Sequence, residues 1–100
     1  MNICVDFNHT IHDADHPITG RKMGAPMDYT KQALTLLKER GFRIIVFTTW
    51  KPKSFKAIED FMKYYELPFD EVTNIKPEAE YYIDNKAIQF TNWQEVLPQI

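Results

Sequence analysis

The stretch ICVDFNHTI, residues 3–11, runs apolar for three residues, reaches an acid at Asp6 and then turns small and polar. A strand covered on both faces reads as a near-continuous apolar run, and its carboxyl end is where an open sheet presents reactive side chains. The run FRIIVFTT, residues 42–49, repeats the pattern with β-branched and aromatic residues and turns polar at Thr48 and Thr49. Shorter strand-like runs lie at Glu71–Thr73 and Tyr81–Ile83, and the second is followed by Asp84 and Asn85.

Helical patterns separate these runs. Ala33, Leu34 and Leu37 share one face of a helix over 29–40, which Asp28 is placed to cap and Gly41 to stop. Pro52 can start a second helix whose apolar stripe is Phe55, Ile58, Phe61 and Met62; that stripe reads as core. Trp93–Leu97 suggests a short final helix. Residues 12–28, HDADHPITGRKMGAPMD, hold turn formers and no long hydrophobic period, which predicts a flap at about residues 11–27. Strands alternating with helices predict right-handed crossovers and a three-layer, Rossmann-like parallel α/β sheet in a single domain over 1–100.

Composition sets the outer bounds. The chain has 100 residues, 44% of them hydrophobic, and a formal net charge of −2, which suits one globular core and argues against a dedicated nucleic-acid binder. Lys51, Lys53 and Lys56 form a local basic cluster, an ordinary solvated face that can also attract an anion. Cys4, the sole cysteine, lies in an apolar run and reads as a small core residue in a reducing, cytoplasmic setting. No apolar run approaches the length needed to cross a bilayer.

In an open sheet the crevice lies beyond the carboxyl ends of the strands, so Asp6, Asn8 and Thr10, Thr48 and Thr49, and Asp84 and Asn85 are expected to converge, with Lys76 just before the last strand. Two carboxylates and a backbone carbonyl are ligands for a hard cation such as Mg2+, which leaves positions open for substrate phosphate. Phosphoryl transfer asks for a positioned nucleophile and for donors and positive charge around the transferred oxygens. Taken singly, each residue has a blander reading: an acid after a strand is commonly a turn residue, and a lysine beside a proline is commonly solvated.

The joint pattern resembles the haloacid dehalogenase superfamily of phosphohydrolases across nearly the whole chain. Its D-x-D-x-T motif is similar to Asp6-Phe7-Asn8-His9-Thr10, its strand ending in Thr or Ser to Ile44–Thr48, its lysine to Lys76, and its acidic pair to Asp84-Asn85. The resemblance implies a small capless member with four catalytic positions: Asp6 as nucleophile, Asn8 at the acid–base position, and Thr48 and Lys76 on the phosphoryl oxygens. It implies Mg2+ at Asp6, the Asn8 carbonyl, Asp84 and Asn85, with His9, Thr10, Thr49 and Lys51 toward a small phosphorylated substrate.

The chain departs from that family at three places. Asn8 and Asn85 replace acids, and Trp50 stands where many relatives carry a basic residue that Lys51 can supply. An amide cannot exchange a proton at useful pH, which costs the general acid–base help worth roughly 10²–10⁴-fold. His9 is a possible substitute by virtue of its titration range. The competing expectation is a non-catalytic phosphate- or nucleotide-binding module. A minor rival gives His9, His12 and His16, with Asp13 and Asp15, to a transition metal, although their spacing fits no standard zinc pattern. With no inserted cap the site is expected to be open, unless a second copy of the chain covers it.

Overall fold

The opening apolar run forms β1 (Asn2–Asp6), and the second run forms β2 (Arg43–Phe47). They are joined by α1 (Thr30–Glu39). A single 3₁₀ turn at Pro52–Ser54 leads into α2 (Phe55–Tyr64), followed by β3 (Glu71–Thr73), β4 (Tyr81–Ile83) and α3 (Trp93–Val96). The structure, a computed structural model, describes residues 1–20, 23–84 and 90–100. All strand pairs are parallel and the order is β3-β2-β1-β4, so β1 is central. No helix among the described residues is long and apolar enough to cross a membrane.

Side-chain alternation shows how the layers form. Ile3, Val5, Ile44, Val46 and Ile83 join one buried cluster with Ala33, Leu34 and Leu37 of α1, Ile58 and Met62 of α2, and Trp93 and Val96 of α3. Cys4 and Ile45 are equally buried but stand outside that cluster, because alternate residues of a strand point to opposite faces. Among the described residues the three-layer expectation is therefore met on one face, which α1, α2 and α3 share. Among the described residues, the opposite face is crossed by segment 74–80, which has no helix.

Handedness explains this arrangement. The steps β1 to β2 to β3 move the same way across the sheet, so right-handed crossovers put α1 and α2 on one face. The return from β3 to β4 moves the other way and must run over the opposite face. Segment 74–80 is that return, and its Lys76 ammonium lies 5.5 Å from the ring centroids of both Phe47 and Tyr82. Tyr82 pins the segment, since its hydroxyl donates to the Pro77 carbonyl at 2.7 Å and accepts the Ala79 N–H at 3.0 Å.

The helix ends depart from expectation at one point. Asp28 does not cap α1; Tyr29 occupies the cap with φ 66° and no side-chain bond, and the Thr30 N–H turns back to the Met27 carbonyl. The other end is as expected, with Gly41 at φ 89° and the Phe42 N–H returning to the Leu37 carbonyl at 3.1 Å. At the end of α2, Glu66 performs the same turn at φ 55°, a left-handed conformation that costs a residue with a Cβ about 1–2 kcal/mol.

Candidate functional site

The sheet register sets the site. Val5 pairs with Ile83, so the next step along both strands places Asp6 level with Asp84 on neighbouring strands about 4.8 Å apart. Asp6 itself pairs with Phe47, and Thr48 follows. The strand order reverses between β1 and β4, the topological switch point of an open parallel sheet. A cavity of about 90 Å³ opens on the other side of β1, at the ends of β1 and β2, lined by Asp6, Phe7, Asn8, Phe47, Thr48 and Thr49.

Charge is concentrated on the face that the return segment crosses. Burial pushes the Asp6 carboxyl above its ordinary range, the Asp84 carboxylate pushes it further, and Lys76 opposes both. Lys76 is hydrogen-bonded to the buried Asp84 carboxylate, and that bond raises the pKa of the lysine. The thiol of Cys4, on the same face, is pushed up to about 11 by burial. It is a core residue, as expected, and carries no thiolate at neutral pH.

On the opposite side of the loop after β1, Asn8 meets a residue that sequence reasoning did not single out for this role. His12 is fully buried, its Nδ1 accepts the backbone N–H of Gly24 at 3.0 Å, and its Nε2 lies 2.7 Å from Asn8 Oδ1. A backbone N–H can only donate, so Nδ1 carries no proton, and Nε2–H must donate to the Asn8 oxygen. The amide of Asn8 is thereby fixed in one sense, with its oxygen taken and its NH2 left as a donor. Burial, aided by His9 and opposed by Asp13, lowers the imidazole from 6.5 to about 4, so it is neutral across the physiological range.

Thr48 is also buried, and its Oγ accepts the Trp50 N–H at 3.1 Å, which leaves the hydroxyl hydrogen able to donate elsewhere. Asp6, Asn8, Thr48 and Thr49 line the small cavity, and Lys76 and Asp84 border Asp6 electrostatically. The other expected residues are placed differently. Thr10 is 3% exposed and lines no part of the cavity. His9, at φ 61°, is exposed, with its Nδ1 3.8 Å from an Asp15 carboxylate oxygen, and Lys51 is an exposed residue at the start of the 3₁₀ turn. Asn85 lies outside the described residues.

The histidines of the flap do not share a centre. His16 pairs with Asp13 at 2.9 Å, His9 faces Asp15, and both ring nitrogens of His12 are already used. Among the described residues no group of three or more His, Cys, Asp or Glu side chains gathers around a potential metal position. The Asp6–Asp84 pair is a different kind of donor set, two neighbouring carboxylates, oxygen donors of the sort a hydrated hard cation uses.

A larger cavity of about 540 Å³ lies beyond Trp50, between the flap and α2. Of the aromatic residues that form it, Phe61 was legible only as part of a helix stripe and Trp50 only as a departure at position 50, while Tyr64 and Tyr65 carried no signal.

No family model matches the chain, and no curated protein does. A solved structure of a conserved protein coded by a locus of Bacteroides thetaiotaomicron is similar in fold, with a TM-score of 0.75 over 96% of this chain and 85% of the other at 19% identity. At that identity the likeness shows a shared parallel α/β fold.

Proposed function

We propose that the chain is a capless phosphohydrolase of the haloacid dehalogenase type, using Mg2+ and an aspartyl-phosphate on Asp6 to cleave a phosphate monoester. The observation that carries this reading is the placement of Asp6 level with Asp84, beside Lys76, at the mouth of a small cavity bordered by Thr48 and Thr49. The end of β1, the end of β2 and the stretch 76–84, three regions remote in sequence, supply those groups.

The donor chemistry fits a hard cation. The carboxylates of Asp6 and Asp84 and the carbonyl of Asn8 would hold Mg2+, and the raised pKa of Asp6 is the electrostatic strain that such an ion relieves. When bound, it supplies positive charge to the phosphoryl oxygens. Asp6 attacks phosphorus, the new bond forms at its carboxylate oxygen, and the ester oxygen departs with its electron pair. Thr48 and Lys76 donate to the equatorial oxygens, where charge is spread in the transition state. Water then attacks the aspartyl-phosphate and releases inorganic phosphate and the Asp6 carboxylate. Asn8, held by His12, offers a hydrogen bond to the departing oxygen but no proton.

Acid quenching after exposure to a radiolabelled aryl phosphate with Mg2+ tests this. The expected product is a labelled chain that hydroxylamine discharges and that Asp6→Asn does not form. The fixed amide of Asn8 favours a second reading, a phosphate-binding module without turnover. Absence of the label in a protein that still binds phosphate would establish that reading instead.

A further inference from the structure

We infer that the cavity between the flap and α2 is the leaving-group site, and that it selects phosphate monoesters of aromatic ring systems. Its place beside the phosphoryl site rests on the phosphohydrolase reading; its selectivity rests on its walls. The cavity is lined by Trp50, Phe61, Tyr64 and Tyr65, with Met23 from the flap and Lys53 at its edge. Its volume of about 540 Å³ is in the usual range for small-molecule sites, which are mostly apolar with a few polar groups.

The two cavities share a wall. Phe7, which lines the small cavity beside Asp6, has its ring 5.7 Å from Trp50 and 5.4 Å from Phe61, both of which line the large one. Trp50 is also tied to Thr48 through its backbone N–H. The ring contacts continue from Phe61 to Tyr65 at 4.8 Å and from Tyr65 to Tyr64 at 4.9 Å. Tyr64, at 74% exposed, and Ile18, at 39%, are large apolar groups left at the cavity rim. Exposed apolar groups gathered at a concavity mark a binding surface more often than scattered ones do. Two charged residues also line the cavity: Asp60, which is paired with Lys56, and Lys53, which has no ion-pair partner among the described residues.

The chemistry of Asn8 agrees independently. When Asp6 forms its bond to phosphorus and the P–O bond to an aryl group breaks, the aryl oxide leaves with the electron pair and needs no proton. An alkyl oxide does need one, and Asn8 cannot give it. A site that lacks an acid is suited to the leaving groups that its neighbouring cavity accepts.

The test uses binding of two phosphonates that cannot be hydrolysed, naphthylmethylphosphonate and methylphosphonate, each titrated calorimetrically with Mg2+ present. The parent should bind the naphthyl compound at least about tenfold more tightly, as ring stacking and burial together supply. Ala57→Trp fills the cavity from an exposed position on α2, and it should bring the ratio below about twofold. Tyr64→Ala should lower it as well. A parent ratio near one, a ratio unmoved by Ala57→Trp, or no binding of either compound at millimolar concentration would overturn the assignment. A selective ratio in a protein that forms no aspartyl-phosphate keeps the aromatic site and removes the phosphohydrolase reading.

Discussion

Acidification should unfold this protein earlier than its carboxylates alone would dictate, because His12 is buried without charge. Its folded pKa of about 4 lies below the 6.5 of the free side chain, so the unfolded chain binds the proton more readily. The stability it contributes is fully present above pH 6.5 and is lost as pH falls through the window down to about 4. At 1.36 kcal/mol per pKa unit, linkage gives a loss of roughly 2–3 kcal/mol between pH 7 and pH 4.5, a large part of the ~5–15 kcal/mol typical of a domain. Urea denaturation of the parent and of His12→Gln at both pH values measures it. Asp6, whose folded pKa is raised, acts in the opposite direction, but it is present in both proteins and cancels. The parent should lose about 2–3 kcal/mol more than the variant over that interval. Parallel pH dependences would refute the buried neutral imidazole and, with it, the fixed orientation of Asn8.

Three further outcomes are expected. A Cβ on Gly24 would stand 1.9 Å from the Asp13 carbonyl oxygen and 2.9 Å from that of His16, backbone atoms that cannot easily yield, so Gly24→Ala should cost at least about 1–3 kcal/mol in urea denaturation. A loss below about 0.5 kcal/mol would mean that the flap does not close as described. Asn8→Asp should raise turnover by roughly 10²–10⁴-fold for alkyl esters and much less for aryl esters. An equal gain for both would show that position 8 does not act on the leaving group. Glu66→Gly should relieve the left-handed turn after α2 and raise Tm by roughly 2–6 °C, since the exposed Lys31–Glu66 pair that it removes is worth little. An unchanged or lower Tm in a thermal melt would count against that account.

The elements were legible because their signals are local. The strands at Glu71–Thr73 and Tyr81–Ile83 and the apolar stripe of α2 follow from composition and period over a few residues. So does the convergence of Asp6, Thr48 and Asp84 at one sheet edge, since strand ends of a parallel sheet meet by topology. The course of the return over the opposite face was not legible, because no residue between 74 and 80 signals by itself which side of the sheet the return will take; the strand order decides that. His12 was hidden for another reason. It opens a stretch of polar and turn-forming residues, and only folding of the flap brings the Gly24 N–H to one nitrogen and Asn8 to the other. Tyr29 took the cap expected of Asp28 because the turn from Met27 already satisfies the first helical N–H by backbone alone.

The position of β1 has a consequence for how the chain acquires its site. Its neighbour β2 is joined to it through a single helix, whereas its other neighbour, β4, pairs Ile3 with Tyr81 across most of the sequence. Contacts of such long separation pay loop-closure entropy before they are rewarded, which makes them late in folding. Until β4 docks, the central strand keeps a bare edge of unpaired N–H and C=O groups open to any other extended chain, and Asp6 has no Asp84 beside it. The same closing event that ends the risk of association also completes the charge cluster, so Asp6 meets Asp84 only in molecules whose sheet has been sealed.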